Sequence, residues 1–175
     1  KDIVGLQQSY AKVAGVAESL SLQELVEDAV HINRLAIDRG QVQIVRTGEL
    51  LLPTIMLEKQ KVLQILVNLV KNACEAITEN PESTKKLFIA IHRVEGPNVQ
   101  VTVEDTGTGI SEDNLTRIFA HGFTTKKTGH GFGLHTGAIA ATEMGGSLTA
   151  SSAGEGKGAT FILEMPLVFA GDHNA

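Results

Sequence analysis

The 18 glycines of this 175-residue chain gather in clusters rather than spreading evenly. One cluster is Asp105-Thr106-Gly107-Thr108-Gly109-Ile110, a second is Gly129-His130-Gly131-Phe132-Gly133-Leu134, and a third is Gly154-Glu155-Gly156-Lys157-Gly158. Glycine weakens regular elements by its backbone entropy, and it is kept where a chain must turn sharply or approach another group closely. A chain with these clusters is therefore built of short elements joined by loops made for close approach. Hydrophobic residues make up 42% and charged residues 20%, a globular composition with enough apolar material for one core. Twenty acidic against 15 basic residues leave a net charge of −5, so a nucleic-acid partner, which needs a basic stripe, is not expected. The single cysteine, Cys74, excludes an internal disulfide, and no Cys/His group has zinc spacing.

The remaining pattern places the elements. Ile3, Leu6, Tyr10, Val13, Ala17 and Leu20 recur at helical spacing, either as a coiled-coil-like seam or as an ordinary amphipathic helix. Ser21 with Glu24 forms a capping box that starts a new helix, expected to run to Gly40 as its left-handed cap. Gln41–Thr47 and Leu51–Leu57 read as short strands around Gly48, and Glu58–Thr78 as a long helix ending before Asn80-Pro81. Leu87–Val94 and Val99–Glu104 form a hairpin through Glu95-Gly96-Pro97-Asn98. An irregular stretch from Asp105 to Gly133 holds a helical patch near Glu112–Phe119. A helix over Gly133–Met144 and a hairpin of Ser147–Ser152 with Gly158–Pro166 close the chain, and the tail from Ala170 is expected to be loose. Helices on one face of a mixed sheet make an α/β two-layer sandwich, not an alternating βαβ fold. No apolar run reaches the roughly 18 residues of a membrane helix, and no basic, then apolar, leader precedes the domain. A soluble cytoplasmic domain is expected, and a chain that opens on Lys1 suggests a piece of a longer protein.

Chemistry concentrates on the long helix and the glycine clusters. Val62, Leu66, Leu69, Ala73 and Ala76 form an apolar face, whereas Gln64, Asn68, Lys71, Asn72 and Glu75 form a polar one. A polar face is ordinarily just solvated, but such faces favour Glu, Lys and Gln. Two asparagines one turn apart in mid-helix lean towards a site. A carboxamide oxygen suits magnesium, which keeps its waters and bridges phosphates, and Lys71 can meet a phosphate as a point charge. Asp105, closing a strand, can accept from an exocyclic amine, and Gly107 and Gly109 let backbone approach a flat ring. Asp-x-Gly alone is an ordinary turn. In Thr124-Thr125-Lys126-Lys127-Thr128-Gly129-His130-Gly131-Phe132-Gly133, alternate glycines open a helix whose N–H groups favour an anion. The spacing is not GxGxxG and no strand precedes it, so a dinucleotide fingerprint does not fit, and a Walker loop's Gly-Lys-Ser/Thr is absent. A lid over phosphates remains. In the last strand Thr160 alternates with Ala159 and Phe161 and can point towards a ligand.

In this order and spacing these segments resemble the ATP-binding catalytic domain of sensor histidine kinases, of the superfamily that also holds gyrase, MutL-type repair proteins and heat-shock chaperones. The resemblance covers about Ser21–Pro166. Asn68-Leu69-Val70-Lys71-Asn72-Ala73 matches the N box, Asp105–Ile110 the first glycine box, Ile118–Lys126 the F box and Gly129–Leu134 the second glycine box. The fold implied is a mixed, mostly antiparallel sheet of about five strands under three helices, the Bergerat type. ATP and Mg²⁺ are the implied cofactors. Asn72 is implied as the magnesium ligand, Asp105 as the adenine contact, and Asn68, Lys71, Asn72 and Lys126 as the catalytic set. Gly107, Gly109, Ile110, Phe119, Thr124, Thr125, Gly129, His130, Gly131, Phe132, Gly133, Leu134 and Thr160 would complete the nucleotide site. Phe132 departs mildly from the leucine of many relatives.

The superfamily's ATPases carry a Glu one turn before the magnesium Asn to activate water, and here that position is Asn68, which is no base. Slow hydrolysis leaves the γ-phosphoryl for an imidazole. None of His31, His92, His121, His130, His135 and His173 is followed by the acidic residue typical of the family's acceptor. His31 reads as a structural or surface residue, whereas His130 and His135 border the lid, where either a phosphate hydrogen bond or a solvent-facing side chain fits. The acceptor is expected on an upstream dimerisation hairpin, with residues 1–20 its exit and linker, 21–168 the catalytic domain and 169–175 a flexible tail. The implied partners are that hairpin and a response regulator. The parent is expected to be a homodimer, its kinase domain cytoplasmic and the parent itself a candidate for the inner membrane, with no membrane contact by this segment. An ATP-gated conformational ATPase and a serine-directed kinase relative are the alternatives.

Overall fold

Strict alternation of apolar residues makes one face of a sheet, and a 3.6-residue period makes one face of a helix; joining the two faces makes the core. The computed structural model describes residues 16–48, 52–125 and 131–169. The described elements are β1 (Glu18–Leu20), α1 (Leu22–Ile32), α2 (Arg34–Gly40), β2 (Gln43–Gly48), β3 (Ile55–Leu57), α3 (Lys59–Glu79), β4 (Lys86–Val94) and β5 (Asn98–Asp105). They continue with α4 (Glu112–Leu115), α5 (Gly133–Glu143), β6 (Ser147–Ser151) and β7 (Ala159–Pro166). Five strands form one sheet in the order β2-β4-β5-β7-β6, with β2 parallel to β4 and the other pairs antiparallel. The α/β two-layer sandwich read from the sequence is the fold found.

Register sets the two faces of this sheet. Val99, Val101, Val103 and Asp105 on β5 stand opposite Met165, Leu163, Phe161 and Ala159 on β7, and all eight are buried. Leu87, Ile89 and Ile91 continue that face on β4. Against it lies α3, whose Val62, Ile65, Leu66, Leu69, Ala73 and Ile77 are buried, and α1, α2 and α5 flank α3. Each fully buried aliphatic side chain contributes about 1.5–3 kcal/mol, so this stripe anchors α3 firmly and leaves its polar stripe outward.

Four expectations change. Glu18–Leu20 is a strand paired antiparallel with β3, not the end of a helix, and residues 1–15, with the rest of the expected seam, lie outside the described residues. The helix from Ser21 does not run unbroken to Gly40. It breaks at Asn33, a buried residue whose Nδ2 donates to the carbonyls of Ala29 at 2.9 Å and Val67 at 3.1 Å. Gly40 is the last helical residue, and Gln41 takes the left-handed cap at φ 53. Gly40 is required by crowding instead, since a Cβ there would stand 2.8 Å from Thr78 Oγ1. The strand expected over Leu51–Leu57 is confined to Ile55–Leu57 among the described residues.

Candidate active site

On α3 the residues 68, 72 and 76 follow one another at i+4, so their side chains form one stripe about 12 Å long. At its upper end Asn68 meets the start of α5. A Cβ on Gly133 would lie 2.4 Å from Asn68 Oδ1, so glycine lets that helix begin against the carboxamide without displacing it. At the lower end Ala76 meets the turn after β5. A Cβ on Gly107 would lie 2.5 Å from the carbonyl carbon of Ala76, and Thr108 N donates to Ala76 O at 3.1 Å. Asn72, half-buried, sits on the stripe between these two glycine contacts.

Asp105 stands at the end of β5, only 5% exposed, and its Oδ1 accepts from Gly107 N at 2.8 Å. This local hydrogen bond shapes the turn that carries Gly107 and Gly109. Gly109 has a φ of 68 and lies so near the β6–β7 loop that a Cβ would fall 2.1 Å from Gly154 O. Ile110 packs partly buried against the core. The turn is thus sandwiched between α3 and the last hairpin.

The second glycine segment is built differently. Phe132 precedes α5 and gives its first N–H groups, at the positive end of the helix dipole, no side-chain cap. Gly131, at φ 68, lies against the Gly122–Phe123 turn, where a Cβ would meet Phe123 O at 2.5 Å. His135 Nδ1 sits 2.9 Å from Phe119 O, tying α5 to the F-box segment. His121 contacts the rings of Phe132 at 5.0 Å and His135 at 5.1 Å. His135 is therefore engaged with backbone, where the sequence had it only bordering the lid. Leu134 packs partly buried, Phe119 likewise, and Thr124 and Thr125 are exposed. Lys126, Gly129 and His130 lie outside the described residues.

Lys71 is exposed and 3.9 Å from Glu75, a helix-surface ion pair of small energy. His31 is exposed on α1, the surface position that the sequence suggested. Cys74 is buried and its thiol is pushed up to about 11, chiefly by burial, so it packs rather than reacts. Thr160 is not brought to this site: it pairs with Glu104 on the face of the sheet turned away from the helices. Ala159, opposite Asp105, is the β7 residue on the site's face. Sequence reading also passed over Asn80 and Ser152, whose side chains bond to the turn at both ends. The first had been read only as a helix stop, and the second as a strand end.

Comparison with known proteins places the chain in a family. Residues 58–168 match the family described as histidine kinase-, DNA gyrase B-, and HSP90-like ATPase, and the chain belongs to that family. Relatives within it include sensor histidine kinases. Sensor histidine kinase ZraS of Escherichia coli K12 is 31% identical over 151 residues, 86% of this chain and 31% of that protein. The chain thus spans between 15% and 31% of the length of such curated relatives. Among solved structures, the catalytic domain of histidine kinase ThkA superposes with a TM-score of 0.74 at 26% identity, covering 87% of this chain and 96% of that one. Full-length ShkA, solved in complex with AMPPNP, has the same fold, with a TM-score of 0.74 at 24% identity over 88% of this chain and 32% of that one. Fold and relatives are those of the ATP-binding catalytic domain of a sensor histidine kinase.

Proposed function

We propose that this domain binds Mg·ATP along the α3 stripe and transfers the γ-phosphoryl to a histidine on an upstream helical hairpin, for relay to a response-regulator aspartate. One observation carries the reading. A single helix face bears two carboxamides and touches a glycine turn ending a strand below and a glycine-led helix start above. A purine at Asp105 and phosphates at the uncapped start of α5 are the two ends of a nucleotide laid along that face. Asp105 would accept from the exocyclic amine, with Gly107, Gly109 and Ile110 against the ring. Gly131, Gly133 and their neighbours Phe132 and Leu134 would surround the phosphates, joined by Thr124, Thr125 and Lys126.

Among the described residues no group of three His, Cys, Asp or Glu side chains can hold a metal. An ion here would rest on the Asn72 carboxamide and on phosphate oxygens, which is the way magnesium binds in nucleotide sites. Bound magnesium supplies charge neutralisation at the phosphates. Asn72 would hold it, and Asn68, packed on Gly133, would orient the start of α5 towards the γ-phosphate. Lys71 would add positive charge at the mouth. Attack by the imidazole forms an N–P bond as the bond between the γ-phosphorus and the β–γ bridging oxygen breaks, and ADP leaves. With Asn68 in place of a carboxylate, no base stands one turn before Asn72 to activate water.

No described helix is long and apolar enough to cross a membrane. A cytoplasmic placement of this domain in a homodimeric parent, itself anchored in the inner membrane, and the division into a linker, a catalytic domain over 21–168 and a short tail belong to the same proposal. The test is [γ-³²P]ATP with Mg²⁺, this domain and the parent's upstream hairpin. Acid-labile, base-stable label on the hairpin is expected. Rapid release of free phosphate with no labelled hairpin would mark a hydrolase instead.

A further inference from the structure

The turn Asp105–Ile110 is held from both ends by side chains that belong to none of the four motifs. At the α3 end Asn80 Nδ2 donates to Gly107 O at 3.0 Å and Thr106 O at 3.4 Å, while its Oδ1 accepts from Glu82 N at 3.1 Å. At the hairpin end Ser152 Oγ accepts from Ile110 N at 3.0 Å and Gly154 N at 3.2 Å, and its hydroxyl donates to Gly158 O at 2.6 Å. Backbone bonds fill the space between them. Gly158 N donates to Gly107 O at 3.2 Å and Gly156 N to Thr108 O at 2.6 Å. The turn is neither strand nor helix, so its amides and carbonyls have no ladder to satisfy them, and these side chains take that place.

We infer that Asn80 and Ser152 are specificity-determining positioning residues that fix the turn's aim at the purine. The inference rests on Asp105 as the adenine contact. A carboxylate distinguishes an amine from a carbonyl only when its oxygen stands within hydrogen-bond geometry, and a shift of about 0.5 Å loosens such a site. Asp105 shares its turn with the carbonyls that Asn80 holds, through the Gly107 N bond. Releasing Gly107 O and Thr106 O, or Ile110 N and Gly154 N, frees the turn to move relative to β5. Among the described residues the side-chain hydrogen bonds of Asn80 and Ser152 go to the turn, to Glu82 and to the β6–β7 loop, and none goes to Asn68, Gly131 or Gly133. Base recognition should therefore suffer while phosphate binding is spared.

The experiment is equilibrium binding of Mg·ATP, Mg·GTP and inorganic tripolyphosphate to the parent chain and to Asn80→Ala, Ser152→Ala and Ser152→Thr. Loss of either clamp is expected to weaken ATP about tenfold and to lower the ATP-to-GTP preference, leaving tripolyphosphate unchanged. Ser152→Thr, which keeps the hydroxyl, should restore the parent's preference. Parent-like ATP affinity and preference in both alanine variants, or equal weakening of all three ligands, overturns the inference and leaves the adenine assignment standing. A parent that binds ATP and GTP equally overturns both together. Should Asn80→Ala fail to fold, the Ser152 pair decides alone.

Discussion

The two glycine segments at either end of the α3 stripe meet the same helix under different constraints. The lower one, Asp105–Ile110, presses backbone on backbone, for Gly107 faces the Ala76 peptide and Gly109 the Gly154 carbonyl. The upper one meets a side chain, for Gly133 faces the carboxamide of Asn68. Among the described residues its other ties include the Gly131 contact with the Gly122–Phe123 turn, the His135 hydrogen bond and the rings of His121 and Phe132. Against α3 the lower contact is fixed backbone and the upper one an adjustable side chain, while Gly131 presses on backbone at the Gly122–Phe123 turn. In the proposed reading a fixed Asp105 carboxylate would read the base and the N–H groups at the start of α5 would meet the phosphates. The difference fits the two tasks.

Substitution to alanine should break this contrast most visibly. Gly107→Ala forces a Cβ to within 2.5 Å of the Ala76 peptide, which cannot yield, so loss of about 3 kcal/mol or more of stability is expected in chemical denaturation. Gly133→Ala pushes only against the end of the Asn68 side chain. The fold should persist with a cost near 1 kcal/mol, and phosphotransfer should fall much further than the melting temperature suggests. Comparable unfolding midpoints for the two variants would erase the distinction between a fixed and an adjustable end.

A smaller effect sharpens the chemistry of the upper end. Asn68→Glu places a carboxylate one turn before Asn72, beside the start of α5. Free-phosphate release should rise by about 10- to 100-fold while transfer to histidine declines. No gain in hydrolysis would show that the missing base is not what protects the γ-phosphoryl.

The smallest effect lies away from both ends. Glu27 pairs with Arg46, with Arg46 Nη2 2.8 Å from Glu27 Oε2, and the Arg46 hydrogen bond holds the Glu27 carboxyl below its ordinary 4.5. A carboxyl depressed in the folded state stabilises above its unfolded value and loses that contribution as pH falls through the folded one. Glu27→Gln should then cost at most about 1 kcal/mol at pH 7, the pair being half-exposed. The gap from the parent should close as pH drops below about 4.5, with nucleotide binding unaltered throughout. Thermal melts across pH check the sign.

Local signals carried most of what could be read from the residues. The α3 period, the β4–β5 alternation and the Ser21 cap each rest on neighbours a few residues apart, and each stands in the structure. What escaped reading depends on distant partners. Asn33 breaks a helix because its amide reaches Val67, 34 residues on. Glu18–Leu20 becomes a strand because β3 offers it an edge. Alternation told which residues accompany Thr160, but the pairing of Asp105 with Ala159 sets which of them faces the site. Asn80 and Ser152 lie at element ends, where Asn and Ser are ordinary punctuation, and only the packed turn reveals their partners.

The most direct measurement is equilibrium titration of ATP with and without Mg²⁺ into the parent chain and into Asn72→Ala. Saturable, magnesium-dependent uptake by the parent, lost in the variant, is the predicted result. Absence of uptake by the parent, or equal magnesium-dependent uptake by both, would contradict the assignment of the α3 stripe as the nucleotide's bed.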